Sequence, residues 1–175
     1  MILTENARLR LRTMCRDDLE ELYALLSDAE VMRWLEPPFT REQAERFLQQ
    51  AGLSDPPLIY AVENTEGEFL GYAIYHDYDE CSRELGWVLR PAFWHKGYAS
   101  EMTALLTALA RREGKDAVIE CASGQKISAR IARRYGFFRE GCADGCDVYR
   151  LRCEKEKRYC YSWFYRYRQR YGIWR

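Results

Sequence analysis

Residues 94–101 read Trp94-His95-Lys96-Gly97-Tyr98-Ala99-Ser100-Glu101, directly after the strand-like run Glu84-Leu85-Gly86-Trp87-Val88-Leu89-Arg90-Pro91 and at the head of an amphipathic helix. A strand that turns through small residues into a helix leaves the first backbone N–H groups of that helix without intrahelical partners. The helix dipole adds a partial positive charge at the same end, so the turn favours a phosphate group. Gly97 lets main chain and ligand approach closely, and Ala99 and Ser100 keep the first turn free of bulk. The segment reads as a pyrophosphate cradle built from the amides of Lys96, Gly97, Tyr98, Ala99 and Ser100.

Common nucleotide motifs do not fit. A P-loop ends in Gly-Lys-Ser/Thr, whereas Lys96-Gly97 runs in the opposite order, and a dinucleotide fingerprint needs three spaced glycines where this turn has Gly97 alone. The window Trp94-His95-Lys96-Gly97-Tyr98-Ala99 instead resembles the Gln/Arg-x-x-Gly-x-Gly/Ala signature of the GNAT (Gcn5-related) N-acetyltransferase superfamily, with Trp94 replacing the usual Gln or Arg. A tryptophan there, followed by Gly97-Tyr98-Ala99 and Glu101, is most similar to the ribosomal-protein N-terminal acetyltransferase subgroup.

The rest of the chain is consistent with that resemblance. Its 175 residues suit one domain with a single core, and 47% apolar residues exclude general disorder. No apolar run reaches membrane length, and the start Met1-Ile2-Leu3-Thr4-Glu5 lacks a basic region followed by an apolar one, so the expectation is a cytoplasmic protein without membrane contact. Seven irregularly spaced cysteines with no Cys-x-x-Cys pair read as free thiols in a reducing compartment, with no metal site. His76 and His95 are the only histidines, which disfavours a Ser-His-Asp hydrolase. Formal net charge is zero, but residues 1–90 hold 9 basic and 18 acidic residues while residues 91–175 hold 18 and 9. A basic second half suits a polyanionic cofactor and an acidic first half a cationic acceptor; pairing of the two across one sheet explains the split equally well.

Periodicity predicts the element order βααβββαβαββ. Arg8–Thr13 alternates as a half-buried strand, and Asp17 with Glu20 starts a helix carrying Leu19, Leu22, Leu25 and Leu26. Thr40 with Gln43 forms a capping box for a second helix, whose inner stripe is Ala44, Phe47, Leu48 and Ala51. A meander of three strands leads into the cradle helix with Met102, Leu105, Leu106, Leu109 and Ala110 on one face. A buried strand at 117–122, a helix at 127–135 ended by Gly136, and a hairpin around Asp144-Gly145 complete the domain. The implied class is α/β (α+β): the GNAT acyl-CoA N-acyltransferase fold, a mixed central sheet flanked by helices, over residues 1–153. Residues 154–175 form a further segment in which Tyr159, Trp163, Tyr167 and Tyr171 recur every four residues. This is an aromatic helix expected to dock on its own domain or on the mate in a homodimer. Neutral overall charge argues against nucleic acid as the main partner.

The resemblance implies attack of a primary amine on the thioester of acetyl-CoA. In the family the cradle strand and the next parallel strand splay apart and the pantetheine arm inserts between them. Here the exposed edge would be Trp87, Val88 and Leu89, whose N–H groups would bond the pantetheine amides and polarise the thioester carbonyl. Trp94, His95, Lys96, Gly97, Tyr98, Ala99 and Ser100 would hold the pyrophosphate. Glu84 is the candidate general base, acting through water, with a plain strand carboxylate or ion-pair partner as the alternative. The second family motif, Asn-x-x-Ser before Gly-Phe, maps to Gln125-Lys126-Ile127-Ser128 and Gly136-Phe137. Gln125 would bond the cofactor in place of Asn, and Ser128 would protonate the departing sulfur or merely cap a helix. The tyrosine that many relatives use as the acid is Ala132 here. The implied activity is an N-acetyltransferase, with a protein N-terminal amine favoured over a polyamine or an amine antibiotic. The competing reading is a non-catalytic acyl-CoA-binding or interaction module.

Overall fold

Leu9 and Leu11 are buried while Arg10 between them is exposed, so the alternation that starts near Arg8 does form a half-buried strand. In the computed structural model, which describes residues 1–153, this is β2 (Leu9–Thr13), preceded by the short edge strand β1 (Ile2–Glu5). Helices α1 (Leu19–Leu26), α2 (Ala29–Met32) and α3 (Arg41–Phe47) follow, and α3 runs into a π-helical turn at Leu48–Gly52. Strands β3 (Ile59–Asn64), β4 (Phe69–Asp79) and β5 (Ser82–Leu89) form the meander. Helix α4 (Tyr98–Arg112), strand β6 (Asp116–Ala122), helix α5 (Lys126–Arg134) and the hairpin β7 (Phe138–Ala143) and β8 (Cys146–Leu151) complete the order.

The strands make one eight-stranded sheet in the order β1-β2-β3-β4-β5-β6-β8-β7. Every neighbouring pair is antiparallel except β5 and β6, which run parallel. This mixed, mostly antiparallel sheet with helices on both faces is the architecture expected from the sequence, with two additions. Strand β1 and the four-residue helix α2 are too short to show periodicity. The start of α1 also differs in detail. The carboxylate that caps this region is Asp18 rather than Asp17: it accepts from the Cys15 amide at 2.7 Å and takes two bonds from Arg12. Thr40 and Gln43 do form the reciprocal capping box at α3.

Two apolar layers sandwich the sheet. On one face Met102, Leu106 and Ala110 of α4 and Ala129 and Ala132 of α5 pack on Leu11, Tyr75, Leu85, Ile119 and Tyr149. On the other face Leu22, Leu25 and Leu26 of α1 join Ala44 and Phe47 of α3 over Ala61, Tyr72 and Val88. Helix α1 on the second face is acidic and helix α5 on the first face is basic. Among the described residues Cys15, Cys121, Cys142, Cys146 and Cys153 are free thiols. Cys81 is engaged in a disulfide, so the expectation of thiols throughout fails at that position. No described helix is long and apolar enough to cross a membrane. The expected aromatic helix in 154–175, and with it the domain boundary at 153, lies outside the described residues.

Candidate active site

Strands β5 and β6 pair only through Ser82 with Asp116, Arg83 with Ala117 and Glu84 with Val118. Beyond those residues β5 runs on to Leu89 beside β4, and β6 runs on to Ala122 beside β8. Both facing edges therefore lack a strand partner among the described residues, leaving a wedge-shaped slot with its apex at Glu84 and Val118. Unpaired strand edges leave backbone donors and acceptors that some other chain-like group can satisfy. Arg90 donates to the Leu70 carbonyl on β4, so strand alternation turns the amides of Leu89 and Trp87 toward the slot and that of Val88 toward β4.

The cradle lies at the open end of this slot. Gly97 is the N-cap of α4 with φ of 87°, a left-handed conformation that glycine adopts without penalty. A Cβ there would meet nothing within 4 Å, so the glycine is demanded by its backbone angle, and space above it is open to a ligand. His95 is also left-handed, at φ 61°. Among the described residues the amides of residues 95–100 donate to no backbone or side-chain acceptor, whereas the Trp94 amide already bonds the Pro91 carbonyl. These free donors at the head of a helix of 15 residues fit a diphosphate.

Side chains brace the turn instead of entering it. The Trp94 indole packs against both apolar layers, and its Nε1 donates to the Leu89 carbonyl at 2.8 Å. The Lys96 ammonium lies over the Phe93 ring at 5.4 Å, Phe93 meets Tyr98 edge-on, and Arg8 stacks on Tyr98 at 4.6 Å. Arg8 also donates to the Lys96 carbonyl at 3.2 Å and forms an ion pair with Glu101. The bracing role of Arg8 has no local signature, because it lies just before β2, remote in sequence from the turn it supports.

Glu84 sits at the apex on the α1–α3 face, opposite His76 on β4, with Nε2 and Oε2 3.5 Å apart. Gln125 and Ser128 occupy the N-cap and first turn of α5, just past the end of β6, so they stand at the end of the opposite wall. Gln125 lines a hollow with Gly124, Arg133, Asp147 and Tyr149. The acidic residues before β5 have structural uses: Asp77 pairs with Arg83 and Asp79 with Arg150. Two residues absent from the sequence expectations also belong to the apex. Glu120 on β6 accepts from the Tyr78 hydroxyl at 2.9 Å. A lone carboxylate within the apolar run Ala117-Val118-Ile119-Glu120-Cys121-Ala122 was the signal available for it. Burial pushes the neighbouring Cys121 thiol up to about 11, which keeps it protonated and unreactive at neutral pH.

Comparison with known proteins agrees with this geometry. The family description "Acetyltransferase (GNAT) domain" matches residues 8–138. An uncharacterized N-acetyltransferase, YnaD of Bacillus subtilis, is 28% identical over 143 residues, covering 79% of this chain and 84% of its own. Among solved structures, a GNAT-family acetyltransferase from Bacillus anthracis superposes with a TM-score of 0.77 at 24% identity, over 89% of this chain and 100% of that one. The ribosomal L7/L12 alpha-N-protein acetyltransferase RimL, in complex with coenzyme A, gives 0.74 at 20% identity over 86% and 97%. At these identities the two structures establish the shared fold.

Proposed function

The chain belongs to the GNAT acetyltransferase family and is an acetyl-CoA-dependent acetyltransferase, and from that premise we propose that it acetylates the N-terminal α-amine of a protein or peptide by direct attack on the thioester. The observation that carries this reading is the parting of β5 from β6 beyond Glu84 and Val118, with undonated amides waiting at the slot's open end. Acetyl-CoA is the donor, and it supplies an activated acyl group on sulfur. The amides of Lys96, Gly97, Tyr98, Ala99 and Ser100 hold its diphosphate. Those of Trp87 and Leu89 meet the pantetheine arm and polarise the carbonyl. Trp94 contributes by fixing the end of β5, and Gln125 and Ser128 bond the far wall, with the Ser128 hydroxyl delivering a proton to the departing sulfur.

Glu84 takes the acceptor proton through water or holds the ammonium form by charge. Releasing the proton of a lysine at pH 7 costs about 4.6 kcal/mol, whereas an α-amine of pKa near 8 costs only about 1.4 kcal/mol. A carboxylate with modest basicity therefore suits the α-amine. The name of RimL, an alpha-N-protein acetyltransferase with the same fold, supports this choice of acceptor.

The test combines two measurements. Acetyl-CoA should raise the melting temperature, and thiol release should then be followed with N-terminal peptides, blocked lysine and small amines. The expected result is turnover on unblocked peptide N-termini, with mass spectrometry locating the acetyl group on the α-nitrogen. Glu84→Gln should lower kcat by roughly 10²- to 10⁴-fold. Turnover on polyamines or lysine side chains alone would refute the N-terminal assignment.

A further inference from the structure

One apolar layer stops short of the slot's far wall. The cluster on the α1–α3 face reaches Val88 on β5 and includes no described residue of β6, β7 or β8. Among the described residues, helical cover on that face thus ends at the near wall. A single side chain extends past it. Val31 and Met32 of α2 are buried in the layer, and the chain beyond them projects Trp34 and Leu35, which keep 41% and 40% of their surface exposed. The Trp34 ring ends beside the turn that follows β6: a Cβ at Gly124 would lie 4.0 Å from its Cζ3 atom. Trp34 therefore reaches from the layer over β5 to the end of the β6 wall, at the mouth of the slot.

The ring is held from both sides. Asp28 caps α2, accepting from the Glu30 amide at 2.8 Å and the Val31 amide at 3.3 Å. Past Trp34, the Leu35 amide donates to the Met32 carbonyl and the Phe39 amide to the Leu26 carbonyl, each at 2.9 Å. Pro37 and Pro38 stiffen the backbone between those two bonds. The Arg33 guanidinium lies 5.5 Å from the indole centroid, a cation set over a ring face. Across the mouth, Gly124 has φ of 99°, a conformation that disfavours any side chain, so no Cβ intervenes between ring and turn. An exposed ring fixed in this way loses little conformational freedom when a ligand covers it.

Resting on the acetyl-transfer reading above, we propose that Trp34 is a binding residue for the pantetheine arm of the donor, closing the mouth of the slot on the α1–α3 face. The arm runs from the diphosphate at Gly97 toward the apex and passes this mouth. Unpaired strand edges satisfy its amides, but its methyl and methylene groups need an apolar wall, and the indole supplies one. From Val118 at the apex, β6 continues to Ala122, about 13 Å of strand. The ring covers the outer part of that length and leaves the apex at Glu84 clear for the acceptor. Trp34 thus belongs to the donor's site and not to the acceptor's.

The test measures binding of coenzyme A, and of ADP, which carries the diphosphate without the arm, to wild type, Trp34→Ala and Trp34→Phe. Trp34→Ala should weaken coenzyme A roughly tenfold and leave ADP within about twofold of wild type. Trp34→Phe keeps an apolar ring and should recover most of the loss. In turnover, KM for acetyl-CoA should rise in Trp34→Ala by a factor similar to the binding loss, while KM for the acceptor peptide stays close to wild type. If Trp34→Ala does not fold, Trp34→Leu takes its place and the ratio of the two affinities decides. An equal loss for both ligands would mark a general distortion of the turn and overturn the inference. So would an unchanged affinity for coenzyme A, or an effect confined to the acceptor. A wild-type protein that binds neither ligand overturns the acetyl-transfer reading beneath it.

Discussion

Trp94 Nε1 donates to the Leu89 carbonyl at 2.8 Å, so a side chain ties the last residue of β5 to the turn that leads into α4. The same indole packs against both apolar layers. Trp94→Phe retains most of the packing and deletes the bond. The expected outcome is a loss of about 1 kcal/mol in stability by denaturant titration. Calorimetry should also show weaker acetyl-CoA binding, because Leu89 forms part of the slot wall. Full affinity in a destabilised variant would separate the turn from the cofactor site.

Gly97 should tolerate alanine better than glutamate. Its φ of 87° costs an L-residue about 1 kcal/mol, and no neighbour obstructs a Cβ. Gly97→Ala should therefore fold with slightly lower stability and bind acetyl-CoA less tightly. Gly97→Glu places bulk and negative charge over the undonated amides. It should remove the thermal shift caused by acetyl-CoA while far-ultraviolet circular dichroism stays unchanged. A retained shift would show that the diphosphate sits elsewhere.

Gly71 has a different reason to be glycine. Its φ is 150°, and a Cβ would lie 2.0 Å from the Val88 carbonyl oxygen on β5, closer than any contact the backbone can accept. Gly71→Ala should thus force β4 and β5 apart and cost about 3 kcal/mol or more. Urea unfolding will measure the loss, and a change below about 1 kcal/mol would contradict the close approach of these strands.

Stability should fall in acid partly through Asp18. Burial alone would raise its carboxyl, but bonds from Arg12 and from the Cys15 amide outweigh that and hold it below the usual carboxylate range. A depressed folded-state pKa contributes stability above the unfolded value near 3.9, and that stability is lost as pH drops through the folded one. Asp18→Asn should cost about 2 kcal/mol at neutral pH. The gap from wild type should narrow below about pH 4. A constant gap across that range would mean the pair contributes nothing through ionisation.

The elements with long periodic patterns were legible because burial imposes their spacing. Leu22, Leu25 and Leu26 in α1 and Met102, Leu106 and Ala110 in α4 are buried as their spacing predicts. Turns with special chemistry were legible too: Thr40 and Gln43 cap α3, and Asp144-Gly145 joins β7 to β8 with positive φ at both residues. Strand β1 was not, since a four-residue edge strand needs only one partner and carries no alternation of its own. Glu84 and Gly97 could be named from the chain alone. Tyr78 and Glu120 could not be joined, because their contact crosses an intervening strand.

The chain by itself determined the longer secondary elements, their order and the glycine turn ahead of α4, since each depends on residues near in sequence: side-chain period, capping groups and one left-handed glycine. Tertiary structure alone decided that β5 and β6 separate after Glu84 and Val118, that Arg8 and Trp94 brace the turn, and that the Tyr78 hydroxyl reaches Glu120 on β6. Those relations arise from strand register, where hydrogen bonds between distant segments compete for the same backbone groups. No local pattern encodes the outcome of that competition.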